Sequence, residues 1–287
     1  MQLSLFDPET YKVVSPAPFL KWVGGKRALI KQIEPYLPKK INRYFEPFLG
    51  GGALFFHLQP QEAVLSDVNS DLINCYECVR DRVEEIILLL EEHQNKHCND
   101  YYYQQRQKFN DGDGDRTERA AQVIYINRTC YNGLWRKNSS GGLNTPVGCY
   151  VKLNICNPPL LRSASKALQN IDLQALGFRK SMILPQKGDF MYPQKGDFMY
   201  LDPPYYGTWT GYSESPFGEA EQILLRNAFV RLASRGVSLM LSNSDCEFIR
   251  GLYKEFRIET VTAPRKVNSN GSGRGSVIEV LVLANLK

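Results

Sequence analysis

The spacing of apolar residues divides the chain into stretches of different rhythm. Residues 41 to 66 read as strand, Gly-rich turn, helix and strand: Tyr44-Phe45-Glu46-Pro47-Phe48 runs into Gly50-Gly51-Gly52, then Ala53-Leu54-Phe55-Phe56, then Ala63-Val64-Leu65-Ser66-Asp67. That order is one βαβ unit. From about Leu72 to Ile126 the period becomes helical, with Val83, Ile86, Ile87 and Leu90 at helix spacing among charged residues, and no strand is predicted. Residues 127 to 150 mix Arg, Lys, Asn, Tyr and Trp around the polar turn Ser139-Ser140-Gly141-Gly142, whose flanks can pair as a hairpin. A second helical stretch follows near 160 to 175. Strand-like runs return at Asp197 to Leu201, Val237 to Ser242, Arg257 to Val261 and Val277 to Leu283, alternating with helical residues 219 to 234 and 245 to 254. The alternation predicts an open α/β sheet interrupted by an inserted helical and hairpin region.

One feature breaks the rhythm. Pro185 to Tyr192 and Pro193 to Tyr200 are the same eight residues, PQKGDFMY, in tandem. Two copies of so short a period do not make a solenoid. Only the second copy runs into Leu201 and Asp202, so that copy is expected to form the strand and the first to loop out.

Composition narrows the class. A chain of 287 residues with 43% hydrophobic positions can bury a sizeable core. Its formal net charge of +5 is compatible with phosphate-facing surfaces without demanding them. No run approaches the ~18 to 20 apolar residues of a membrane span, and Met1 to Ser15 lacks the features of a secretory signal. No membrane association is expected, and the cytoplasm is the default compartment. Seven scattered cysteines predict reduced thiols rather than a disulfide framework.

Two motifs invite readings that fail on their own terms. Gly24-Gly25-Lys26 lacks the remainder of a phosphate loop, because Leu20 and Arg27 stand where glycine and Ser or Thr are needed. Cys75-x2-Cys78 followed by His93-x3-His97 has zinc-finger spacing, yet the intervening VRDRVEEIILLLEE reads as continuous helix. Fourteen helical residues rise about 21 Å, too far for four ligands to converge on one ion. No metal is expected.

Three other places carry chemistry. Gly50 to Gly52 let a ligand approach the backbone at the end of a strand, and Asp67 ends the next strand, where it can accept hydrogen bonds from ribose hydroxyls. The same residues also read as a Gly-rich turn with a helix-capping aspartate. Asp202-Pro203-Pro204-Tyr205 follows an apolar strand. Its carboxylate and the Pro203 carbonyl can accept both hydrogens of an exocyclic amine, which favours the pyramidal, positively charged transition state of amine alkylation. Pro203 offers no N–H and fixes the turn, and Tyr205 offers a face on which an extruded base can stack; taken alone, the tetrapeptide also reads as a strand-ending turn. In the polar insert, Arg136 can bind a guanine edge bidentately, while Arg128 and Lys137 suit phosphate contacts. Arg265, Lys266 and Arg274, in and beside the Gly/Ser-rich stretch 268 to 276, suit phosphates too.

The order of these features resembles the Dam-type family of DNA adenine-N6 methyltransferases. The carrying segments are FLKWVGGKR at 19 to 27, FEPFLGGGALFF at 45 to 56, LSDVNSDLI at 65 to 73, NRTCYNGLWRKN at 127 to 138, LNTPVGCY at 143 to 150 and YLDPPYYGT at 200 to 208. The resemblance implies a Rossmann-like methyltransferase sheet dependent on S-adenosylmethionine, with a catalytic domain split over 1–68 and 157–287. A helical and β-hairpin target-recognition domain would lie at 69–156. It implies that Trp22, Lys26, Phe48, Gly50, Asp67 and Asp202 contact the donor, and that Asp202, Pro203, Pro204 and Tyr205 carry catalysis on double-stranded DNA. Tyr131 and Asn132 would enter the duplex near a flipped base, Leu134 and Pro146 would touch base methyls, and Lys21 would read a further base.

Tyr131-Asn132-Gly133-Leu134 and Asn144-Thr145-Pro146 match the GATC-reading branch closely, whereas Trp135, Ser139 to Gly142 and Cys149 depart from it. The family implies no obligate protein partner, though a cognate restriction enzyme is compatible with it. Aspartate rather than serine at 202 favours adenine over cytosine-N4. Rival readings are a cytosine-N4, RNA or protein methyltransferase, and a catalytically silent DNA-binding protein.

Overall fold

The computed structural model describes residues 14–183, 192–207, 217–264 and 276–286. β1 (Tyr44–Glu46) pairs in parallel with β2 (Ala63–Ser66), connected through α2 (Ala53–Leu58), so the predicted βαβ unit is present. It follows a short helix, α1 (Ile30–Ile33). Four helices come next: α3 (Ser70–Asp81), α4 (Val83–Lys96), α5 (Asn99–Asp111) and α6 (Arg116–Thr129). After the polar insert the chain forms α7 (Pro158–Leu168), β3 (Asp172–Gln174), β4 (Phe198–Leu201), α8 (Glu219–Ser234), β5 (Ser238–Ser244), α9 (Glu247–Leu252), β6 (Arg257–Pro264) and β7 (Ser276–Ala284). Among the described residues the strands make one seven-stranded sheet in the order β3-β2-β1-β4-β5-β7-β6. β1 to β5 are parallel, and β7 lies between β5 and β6, antiparallel to both.

Strand residues alternate between the two faces. Phe45, Met199, Leu239 and Val282 pack with Leu225 and Phe229 of α8 on one side, and Tyr44, Tyr200, Met240 and Leu281 join the cluster that holds α2, α3 and α6 on the other. That second cluster continues without a break from the sheet into α3 to α6. At its centre α6 is buried almost all round, and it begins with a capping box in which Asp115 accepts from the backbone N–H groups of Thr117 and Glu118.

Three expectations need correction. The helical stretch near 160 to 175 ends at Leu168, and Asp172 to Gln174 form β3 instead, because β2 offers a free edge opposite Val64 to Ser66. The stretch VRDRVEEIILLLEE is not one helix: Arg82 leaves helical geometry (φ −137°, ψ 38°) and divides α3 from α4. The break lets both helices lie on α6, where a straight rod through Arg82 would carry α4 away from it. The expected hairpin in 127 to 150 is reduced to two isolated antiparallel bridges, Cys130 with Val147 and Lys137 with Leu143, and Asn127 and Arg128 belong to α6. The pairing stays short: the Asn138 N–H bonds the Gly142 carbonyl and the Asn144 N–H the Arg136 carbonyl, while the Leu143 and Thr145 carbonyls bond α5 side chains, Leu143 with Asn110 and Thr145 with Tyr102 and Arg106.

With the helix broken at Arg82, distance along one rod does not separate the two cysteines from the two histidines, and each of the four side chains has a partner of its own. The Cys75 and Cys78 thiols face the Ala120 and Arg116 carbonyls, and His93 and His97 bond the Tyr101 and Tyr125 hydroxyls. Among the described residues no group of three or more His, Cys, Asp or Glu is placed to hold a metal ion, and no helix is long and apolar enough to cross a membrane.

The second PQKGDFMY copy leads into β4. Its Asp197 pairs with Arg43 at 2.6 Å and accepts from the Gln194 N–H at 2.8 Å, which starts the strand at Phe198. The expected looping-out of the first copy lies outside the described residues, Tyr192 excepted. That ring is buried beneath the Arg235 guanidinium, 4.0 Å from its centroid.

Candidate active site

The strand order reverses between β1 and β4. An open α/β sheet presents its ligand crevice at such a point, beyond the carboxyl ends of the strands. The turns after β1, β2 and β4 all open there, and they carry Gly50, Asp67 and Asp202.

Gly50 has φ +47°, and a Cβ at that position would lie 2.8 Å from Trp22 Cδ1; Gly52, at φ +63°, would bring one to 3.0 Å from the Tyr76 hydroxyl. The turn can therefore hug Trp22 only as bare backbone. Trp22 in turn stacks on Trp135 at 6.3 Å, which ties the amino-terminal segment to the polar insert. Asp67 does two jobs. Its Oδ2 accepts from the Gly50 N–H and its Oδ1 from the Asn69 N–H, both at 3.0 Å, and Asn69 caps α3. Each carboxylate oxygen retains capacity for a further donor. Burial pushes the Asp67 carboxyl up, against those backbone donors. Phe48, half-buried, stacks on Phe178 at 5.7 Å and meets the edge of Phe217 at 5.9 Å.

At the end of β4, Asp202 Oδ1 is 2.8 Å from Lys26 Nζ, which also donates to the Gly24 carbonyl at 2.6 Å. Lys26 is only 6% exposed, and a lysine is buried this far only when its charge is matched. The ammonium lies 4.9 Å from the centroid of the Tyr205 ring, and the Tyr205 hydroxyl donates to Glu279 Oε2 on β7 at 2.7 Å. Burial pushes the Asp202 carboxyl up, and the Lys26 charge opposes that shift. Pro203 is buried and Pro204 exposed.

Two acids escaped the sequence reading. Glu46, the last residue of β1, is fully enclosed; it accepts from the Tyr44 hydroxyl at 2.9 Å, and burial, reinforced by Asp202 and Asp67, raises its carboxyl to about 8. An acid closing a buried parallel strand was the available signal. Glu279 left no signal, because only the insertion of β7 beside β5 brings it to Tyr205.

The candidate DNA-facing residues divide in two. Tyr131, Asn132 and Pro146 are exposed neighbours, with the Tyr131 N–H bonded to the Pro146 carbonyl at 2.9 Å and Asn132 in left-handed geometry at φ +54°. Leu134, Arg136 and Lys137 follow, half-buried. Thr145 fixes this run by donating to the Leu134 carbonyl and accepting from the Arg136 N–H, while Asn144 Oδ1 takes the Arg136 Nε–H at 2.8 Å. Lys21 comes in from the other side: buried Asn127 bonds its backbone N–H and carbonyl, and its ammonium sits 4.1 Å from the Tyr150 ring centroid. Burial, with Arg128 nearby, lowers the Lys21 ammonium. Arg128 lies beside Lys21, whose ammonium donates to its carbonyl at 3.4 Å, and its own Nε and Nη2 are both committed to the Asn154 carbonyl.

Sheet and crevice together have the build of an α/β methyltransferase. Residues 22–267 match the family described as D12 class N6 adenine-specific DNA methyltransferase. The chain is 40% identical over 275 residues to Type II methyltransferase M1.LlaDCHI of Lactococcus lactis subsp. cremoris, covering 92% of this chain and 94% of that one. It is 36% identical over 295 residues to Type II methyltransferase M.MjaIII of Methanocaldococcus jannaschii, covering 93% and 98%. To the DNA adenine methylase of Escherichia coli it is 33% identical over 272 residues, covering 92% and 94%. The chain belongs to the D12 class N6 adenine-specific DNA methyltransferase family. Methyltransferases of this kind draw on S-adenosylmethionine. The bare-backbone turn at Gly50, the Trp22 ring beside it and the spare acceptor capacity of Asp67 fit a nucleoside-bearing donor.

Proposed function

We propose that this protein methylates the adenine of GATC in double-stranded DNA after flipping that base out of the helix. The observation that carries the reading is the convergence of Lys26, Asp202 and Tyr205, from distant parts of the chain, at the carboxyl end of β4. An adenine amine cannot reach such a crevice from within a stacked duplex, and extrusion is the general solution. Asp202 and the Pro203 carbonyl accept the two amine hydrogens, the turn formed by Pro203 and Pro204 aims them, and Tyr205 stacks on the flipped base. Bound S-adenosylmethionine supplies a methyl group already activated on a sulfonium. Trp22, Lys26, Phe48, Gly50, Asp67 and Asp202 hold it, and alignment contributes much of the rate.

Recognition is assigned to 69–156, serving a catalytic part formed by 1–68 and 157–287. Tyr131 and Asn132 enter the duplex, Leu134 and Pro146 touch base methyls, Arg136 reads guanine, Lys21 reads a further base, and Arg128 and Lys137 contact phosphates. The close match at Tyr131 to Leu134 and Asn144 to Pro146 supports GATC. A cognate restriction enzyme cutting the same site fits the names of the Type II relatives.

Methylation-sensitive sequencing of DNA from expressing cells tests base and site together. N6-methyladenine confined to GATC is expected; methylation at another site overturns the GATC assignment, and unmethylated adenine overturns the whole reading. Gly50→Ala tests the donor turn. Left-handed strain and the encounter with Trp22 are expected to weaken donor binding about tenfold by calorimetry, since strain of this kind costs roughly 1–3 kcal/mol. Unchanged affinity would place the donor elsewhere.

A further inference from the structure

Two prolines in succession leave the catalytic loop short of anchors. Neither Pro203 nor Pro204 has an N–H, and the Pro203 carbonyl is reserved for the target amine in the reading above, on which this inference rests. The Pro204 carbonyl and the Tyr206 N–H can hold the loop from either side of Tyr205. Both are taken by one buried amide pair. Gln222 of α8 donates from Nε2 to the Pro204 carbonyl at 3.0 Å and accepts at Oε1 from Asn243 Nδ2 at 3.1 Å. Asn243 of β5 accepts at Oδ1 from the Tyr206 N–H at 3.1 Å and the Ser244 N–H at 2.8 Å. Ser244 closes the ring by donating from its hydroxyl to the Tyr206 carbonyl at 2.9 Å.

Gln222 and Asn243 are each 0% exposed. Their amide orientations follow from the network: two backbone donors face Asn243, so its oxygen must meet them, and its NH2 must meet the Gln222 oxygen. The Gln222 NH2 is then left facing the Pro204 carbonyl. No member has a choice, and a buried network in which each amide oxygen and NH2 has a partner rigidifies what it holds.

We propose that Gln222 and Asn243 are positioning residues of the methyl transfer. Their amide relay clamps the chain on both sides of Tyr205 and thereby sets the aim of the Pro203 carbonyl and the Asp202 carboxylate. Neither side chain touches substrate. Their contribution is to rate through alignment, where a displacement of about 1 Å can cost on the order of a hundredfold.

The test exploits the one donor that matters. Gln222→Glu keeps an oxygen for Asn243 but can donate to the Pro204 carbonyl only while protonated, and burial raises the pKa of such a carboxyl. Gln222→Met keeps the shape and removes the donor at every pH. Single-turnover rates on duplex DNA, measured from pH 5.5 to 9 and normalised to donor-binding sites counted by calorimetry, separate alignment from loss of folded enzyme. Gln222→Met is expected to be slowed about 10- to 100-fold at every pH, with donor Kd within about threefold of wild type. Gln222→Glu is expected to approach the wild-type rate at low pH and to fall toward Gln222→Met as pH rises, read as the ratio of variant to wild-type rate at each pH so that titration of Asp202 and Glu46, common to both, cancels. Wild-type rates for both variants beside an inactive Asp202→Ala overturn the relay alone. Parallel loss of donor binding and rate, with no pH-dependent recovery, overturns it too, because that marks a structural role. An active Asp202→Ala overturns the assignment of Asp202 and the relay with it.

Discussion

Asp202→Ala is expected to lower the rate of adenine methylation by about 10²- to 10³-fold or more, the loss typical when one preorganised group facing developing charge is removed. The carboxylate sits at the end of β4, 2.8 Å from Lys26, in a crevice where burial strengthens each electrostatic contact. Alanine removes the acceptor for one amine hydrogen and leaves the Lys26 ammonium bonded to the Gly24 carbonyl without its carboxylate partner. Asp202→Asn is expected to be intermediate, because an amide oxygen still accepts while the negative charge is gone. Methyl transfer from a labelled donor to a duplex oligonucleotide, under single-turnover conditions, reads both. A rate within threefold of wild type for Asp202→Ala would remove this carboxylate from the chemistry.

The second large effect concerns stability. Glu46 is held up to about 8, far above the usual carboxylate range, chiefly by burial. Its folded-state pKa is raised, so between about pH 4.5 and 8 the unfolded chain gives up this proton while the folded chain keeps it. The unfolded state then binds fewer protons, and stability falls with rising pH at up to about 1.4 kcal/mol per unit. The contribution of Glu46 is fully present below the unfolded pKa and is lost as pH rises through about 8, a total on the order of a few kcal/mol. Glu46→Gln keeps an oxygen for the Tyr44 hydroxyl and cannot ionise. Melting curves from pH 5 to 9 are expected to show a clearly shallower decline for Glu46→Gln than for wild type. Parallel declines would mean that Glu46 ionises normally in the folded protein.

Much of the frame was legible in the chain because its signals are local. The βαβ unit announces itself by Gly50 to Gly52 between two short apolar runs, and α8, β5, β6 and β7 by their periodicity. β3 was missed because three residues carry no period, and its pairing with β2 decides its state. The break at Arg82 was missed because the residues on either side favour helix equally; packing of both α3 and α4 on α6 overrides that preference. The insert after α6 has the polar and turn residues of a hairpin, yet it pairs across itself at two isolated bridges while its Leu143 and Thr145 carbonyls dock on α5.

The crevice divides along the same line. Asp202, its two prolines and Tyr205 form a contiguous word, and so do Gly50 to Gly52, so each could be read without knowing its neighbours. Glu46, Gln222, Asn243 and Glu279 belong to no such word. They meet the catalytic loop because β1, β5 and β7 are laid beside β4 or one strand beyond it, and because α8 packs on the same face.

By itself, then, the sequence determined the βαβ start, the alternating sheet that follows and the short motifs whose chemistry depends on adjacent residues. Tertiary structure alone decided the strand order, the partners of Asp202 and Tyr205, and the buried acid and amide pair behind them. The physical reason is reach. Backbone geometry couples residues a few positions apart, whereas a hydrogen bond between residues 18 or 74 positions apart, as at Pro204 and Gln222 or Tyr205 and Glu279, exists only once packing has closed the chain.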